Sequence, residues 1–128
     1  MSYEIKWQPR GVYKRFSGGV SAGEFFASIA EVQNNPDFDR LKFSVNNFLD
    51  VTSYGISLED VTAFAALGLG AQFSNPGLVI AIVATNDSIL SLIRDHYEPI
   101  TKYKMAYFQS DAEAVAWLKE QTHLDITF

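Results

Sequence analysis

Apolar and polar positions alternate along this chain with two different periods, and the changes of period divide it into strands and helices. Tyr3 to Trp7 and Val12 to Phe16 alternate every second residue and flank Gln8-Pro9-Arg10-Gly11, which predicts an antiparallel hairpin. Lys42 to Phe48 predicts a third strand. Leu78 to Ala84 is an unbroken apolar run rich in Val and Ile, as expected of a central strand covered on both faces. Met105 to Phe108 predicts a fifth strand, and Leu124 to Phe128 reads as a short edge strand or a loose tail.

The intervening segments carry helical spacing and start on recognisable caps. Ser21-Ala22-Gly23-Glu24 has the spacing of a capping box, in which the hydroxyl and the carboxylate each satisfy a free backbone N–H. That helix runs to about Gln33 with Phe25, Phe26, Ile29 and Val32 as its apolar stripe, and Asn34-Asn35-Pro36 stops it. Ser57-Leu58-Glu59-Asp60 opens a second helix through about Phe73, with carboxylates in the first turn where they complement the helix dipole. Asn86-Asp87-Ser88 begins a third, placing Ile89, Leu92, Ile93 and His96 on one side. Ser110-Asp111-Ala112-Glu113 is another capping box, leading into a fourth helix with Val115, Trp117 and Leu118. The order β-β-α-β-α-β-α-β-α predicts a single α/β domain over residues 1–128. Its mixed sheet of about five strands has an antiparallel N-terminal hairpin and a mostly parallel remainder, flanked by four helices.

Composition narrows the function classes. A chain of 128 residues that is 48% hydrophobic and 20% charged is globular. The absence of cysteine excludes disulfides, thiol nucleophiles and thiolate zinc sites. A net charge of −5 argues against nucleic acid as the main partner. Small basic clusters (Arg10, Lys14 and Arg15; Lys102 and Lys104) read as the solvated faces of strands. The first residues lack the apolar core of a secretory signal, and no apolar run approaches the roughly 20 residues of a membrane span. A cytoplasmic protein with no transmembrane segment is the expectation.

In order and spacing this pattern resembles the SpoIIAA-like, or STAS-like, α/β domains of bacteria, and within them a small SpoIIAA-like family. Four stretches carry the resemblance: Gly19-Val20-Ser21 with Glu24 and Phe25; Asn35-Pro36-Asp37-Phe38-Asp39; Leu49-Asp50; and Phe108 with Ser110, Glu113, Ala114, Trp117 and Leu118. It covers about residues 3 to 118 and implies a SpoIIAA-like sandwich of sheet and helices. In STAS relatives it implies a regulatory module that binds a partner protein, switched at a Ser or Thr at the start of the helix after the third strand.

The corresponding stretch here runs from Leu49 to Ser57 and reads as a loop leaving the carboxyl end of a strand, where ligands of parallel sheets favour binding. Asp50, Thr52, Ser53 and Ser57 are its candidate switch and partner-binding residues. The relatives' tight Asp-Ser-Ser-Gly or Asp-Thr-Ser-Gly turn is replaced by Tyr54-Gly55-Ile56-Ser57. Ser57 reads first as an N-cap, and second as a residue whose phosphate would sit in the field of a helix N-terminus. The next helix is apolar nearly all round, and Val61, Phe64, Leu67 and Leu69 are candidates for an interface or for lining an apolar-ligand site.

Enzyme readings find little. His96 and His123 are the only histidines, so neither HExxH nor paired metal-ligand spacing exists. A triad of Ser57, His96 and Asp50 lacks the GxSxG elbow. Gly18-Gly19 reads as a turn before a capped helix, and Gly68-Leu69-Gly70 lies inside a helical pattern, so neither is a phosphate-binding loop. The sequence therefore predicts a non-catalytic, cofactor-free protein-binding module, alone or as a homodimer, with a small carrier of an apolar or lipid-like ligand as the alternative.

Overall fold

Strand residues of one chain alternate between two faces, so a sheet covered on both sides needs two apolar sets. Both are present in the computed structural model, which describes residues 2–128. The elements run β1 (Tyr3–Gln8), β2 (Gly11–Ser21), α1 (Ala22–Gln33), a 3₁₀ turn (Phe38–Arg40), β3 (Phe43–Gly55), α2 (Leu58–Ser74) and β4 (Val79–Val83). Then come α3 (Asp87–Leu92), a π-helical turn (Ile93–Tyr97), α4 (Glu98–Thr101), β5 (Lys104–Phe108) and α5 (Asp111–Thr122). The segment from α3 to α4 is one continuous helical run, so four helical segments flank the sheet, as the sequence predicts.

The five strands lie in chain order, β1-β2-β3-β4-β5. The first pair is antiparallel and the others are parallel. Successive right-handed crossovers stepping in one direction put every connecting helix on the same face. That face carries Val12, Phe16, Phe48, Ile80 and Ile82, packed against Val32 of α1 and Ile89 of α3. An aromatic stack ties the layers together: Phe16 lies 5.0 Å from Phe48 and 5.2 Å from Phe25 of α1, which in turn meets Phe64 of α2 at 5.0 Å.

The opposite face carries Tyr13, Phe43, Val45, Ala81 and Val83 under Ala114 and Leu118 of α5. A buried polar cluster fixes α5 to the sheet there. Tyr13 Oη donates to Asp111 Oδ2 at 2.8 Å, and Asn47 Nδ2 donates to Asp111 Oδ1 at 2.9 Å. Burial, with the Asp111 carboxylate beside it, pushes the Tyr13 hydroxyl up to about 12. The C-terminal tail is neither an edge strand nor loose. Ile126 is buried in the α5-side core, and the Phe128 ring packs 4.7 Å from Tyr13 and 6.4 Å from Phe43.

Two further expectations change. Gly18-Gly19 lies within β2 rather than in a turn, and Gly18 takes φ 66° beside a shift in the β2–β3 register. His96, expected on the inward stripe of the third helix, is exposed. The π turn holds an extra residue per turn, so the inward series becomes Ile89, Ile93, Tyr97 and Thr101, and His96 rotates out.

Candidate functional site

The stretch from Leu49 to Gly55 is not a loop. It is the second half of β3, which outruns the rest of the sheet. β4 pairs only with Phe43–Asn47, and β1 reaches only as far as Phe16. Beyond that point Ser17–Ser21 and Asp50–Gly55 form a two-stranded parallel ribbon at the carboxyl end of the sheet. The sequence conceals it because strict alternation breaks. Two register shifts each add a residue to β3, so the half-buried side chains fall at Val51 and Tyr54 after Phe48 rather than on every second position.

Those inward residues pack on the helix-side core, and the outward side of the ribbon is presented to solvent. Asp50, Thr52 and Ser53 are all exposed there, together with Leu49. Asp50 is engaged by Arg15 across the ribbon, with Nη2 to Oδ2 at 2.6 Å, and this contact raises the Arg15 guanidinium further above its ordinary value. Tyr54 hydrogen-bonds Ser88 at the start of α3, fastening the ribbon to the helical layer.

Ser57 is the N-cap of α2. Its Oγ accepts from Asp60 N at 3.1 Å, and its own N–H donates to Asp60 Oδ2 at 2.9 Å, completing a capping box. Ser57 stands exposed, with Glu59 and Asp60 in the turn that follows. The three members of the written triad are not assembled: Asp50 pairs with Arg15, Ser57 with Asp60, and His96 is exposed on the π turn. Among the described residues no group of three His, Asp or Glu gathers as a metal site.

The apolar character of α2 has a simple layout. Val61, Phe64, Ala65 and Gly68 face the core. Leu67 and Leu69 are half-buried on its flanks, and Leu58 and Phe73 are exposed at its ends, Phe73 by 86%. Val61 and Phe64 also line an apolar cavity of about 60 Å³ with Val20, Tyr54 and Leu92.

A second cavity of about 80 Å³ adjoins it and shares Phe25, Phe48, Ile93 and Tyr97. It is lined by the residue whose placement departs furthest from the sequence expectation. Lys14 is not on a solvated strand face; it is buried, 5% exposed, on the helix-side face of β2. Its Nζ donates to Ser28 Oγ at 3.5 Å and lies 5.8 Å from the ring centres of both Phe16 and Phe25. Burial pushes its ammonium down to about 8. The signal is present in the sequence: Val12 and Phe16 are apolar, and period two places Lys14 between them on the same face.

Among the described residues no helix is long and apolar enough to cross a membrane. No family model matches the chain, and a search of curated proteins finds no match. Solved structures do share its architecture. A DUF3478-family protein with a SpoIIAA-like fold from Shewanella loihica PV-4 superposes with a TM-score of 0.58 at 12% identity, covering 91% of each chain. The anti-sigma factor antagonist SpoIIAA in its unphosphorylated form gives 0.59 at 11% identity, covering 91% of this chain and 97% of that one. The chain therefore has the SpoIIAA-like fold that its sequence resembles.

Proposed function

We propose that this SpoIIAA-like domain is a non-catalytic protein-binding module whose partner surface is the outward side of the β2–β3 ribbon and the adjoining start of α2. The observation that supports this most is the ribbon itself. It projects past its neighbouring strands at the carboxyl end of a parallel sheet, where Leu49, Asp50, Thr52 and Ser53 lie exposed. Among the described residues no further strand pairs with its edges in that half, where one edge is engaged only at Ser17, whose N–H donates to Ser2 O at 2.8 Å; this suits a partner that reads a fixed surface or adds a strand. A solved protein of the same fold is an anti-sigma factor antagonist, a role exercised through a protein partner.

Ser57 belongs to this surface as its boundary. Replacing Ser57 by Asp keeps an acceptor for the Asp60 N–H and adds charge, so binding should change while folding does not. Affinity capture from the native host with wild-type protein, Ser53→Trp and Ser57→Asp tests the proposal. A protein retained by the wild type and lost with Ser53→Trp is the expected result. Identical captures by all three, or none, would overturn it. Self-association through the same surface or through Leu58 and Phe73 would appear as a dimer in sedimentation.

The apolar cavity at Val61 and Phe64 favours a second reading, a small carrier of an apolar ligand. Filling the cavity by Val61→Phe should then abolish uptake of such a ligand and leave partner capture unchanged.

A further inference from the structure

The Lys14 cavity has a chemistry of its own. An ammonium offers three donors, and here one of them meets a single hydroxyl at the long distance of 3.5 Å. Among the described residues Lys14 makes no salt bridge; Glu31, whose charge acts on it, is exposed on α1 beyond ion-pair distance. A buried cation so poorly paired is costly unless something else contributes charge. Tyr103, 6% exposed and with no hydrogen-bond partner for its hydroxyl among the described residues, lines the opposite end of the cavity. At the Lys14 end, Asn46 lies level with Lys14 on the neighbouring strand and with Ser44 makes that end polar. Beyond it the walls become wholly hydrocarbon and aromatic, through Phe48 and Ile93 into the adjoining cavity.

We propose that this cavity binds a small monocarboxylate, with the carboxylate on the Lys14 ammonium and the short apolar body between Phe25, Phe48 and Ile93. One cation matches one negative charge, and no arginine lines either cavity to balance a phosphate dianion. Size sets the class. An apolar cavity of about 150 Å³ holds benzene, and the adjoining spaces of about 80 and 60 Å³, even taken together, suit a short-chain acid rather than a long-chain lipid. Entry lies at the seam of α1 and α2. There Gln33 Nε2 reaches Leu67 O at 3.5 Å, and Gln33 and Ala71 border both the Lys14 cavity and a surface depression outside it.

The inference deepens the carrier reading by giving the ligand a head group, and it is independent of partner binding. Hexanoate and its neutral analogue hexan-1-ol are the probes, titrated calorimetrically into the full chain and into Lys14→Met. The expected result is saturable hexanoate binding by the wild type, weakened at least tenfold in Lys14→Met, with hexan-1-ol unchanged within threefold between the two. Hexan-1-ol bound as tightly as hexanoate, or equal hexanoate affinity in both proteins, would overturn the Lys14 role and leave the carrier reading standing. Binding of neither probe would remove both. The ¹⁵Nζ resonance of Lys14 in the wild type answers the same question should Lys14→Met fail to fold: it must move on adding hexanoate and stay put with hexan-1-ol.

Discussion

Lys14 enters the core where its neighbours on the strand face, Val12 and Phe16, are fully buried. In the unfolded chain its ammonium holds a proton up to about 10.5, but in the folded chain burial limits it to about 8. Between those values the unfolded state binds more protons, so the contribution of Lys14 to stability rises with pH there and is flat below about 8. Lys14→Met removes the burial cost. It should raise stability at pH 7 by on the order of 3 kcal/mol, with a gain over wild type that shrinks toward pH 10. Denaturant titrations of both proteins at the two pH values measure this, and an equal difference at both would refute the assignment. Ser57 illustrates a smaller effect. Ser57→Ala leaves the Asp60 N–H without its acceptor and should cost about 1 kcal/mol, whereas Ser57→Asp should stay within about 0.5 kcal/mol of wild type, read as midpoint shifts.

At the level of elements, the caps are the most legible feature of the chain. Ser21, Ser57, Asn86 and Ser110 all become N-caps, because a short oxygen side chain ahead of an apolar stripe has few better uses. What stays hidden depends on departures from a single period. The bulged half of β3 conceals Val51 and Tyr54 among polar residues, and the π turn exchanges His96 for Tyr97 on the inner side. Both departures are enforced by tertiary packing, which no local pattern announces. The two glycines of α2 show the same dependence on surroundings. At Gly68 an added Cβ would lie 2.3 Å from Thr101 Oγ1, on a side chain with no exposure. At Gly70 nothing lies within 4 Å. Gly68→Ala should therefore lower stability by about 1–3 kcal/mol, while Gly70→Ala should raise it by about 0.5–1 kcal/mol. Thermal melts of the pair would show opposite signs, and shifts of the same sign would contradict the close approach of α2 to α4.

At the level of the molecule, two helical layers share one sheet, but they are unequal. Three of the four helical segments cover one face, whereas the other depends on α5 and the tail alone. Removing residues 124–128 would strip Ile126 from the core and bare the rings of Tyr13 and Phe43. A loss of about 2–4 kcal/mol is expected, with new self-association visible in sedimentation; an unchanged melt would show the tail to be dispensable.

That lopsidedness also has a meaning in time. Because the strands follow one another across the sheet in the order in which they are made, each can dock on a neighbour already present as the chain leaves the ribosome. The helix-side layer closes step by step in the same order. The opposite face has no such provision: Val45, Ala81 and Val83 wait uncovered until the stretch from Asp111 onward has been synthesised. The nascent domain is thus one-sided until residues 111–128 emerge, and its most aggregation-prone moment comes just before they do.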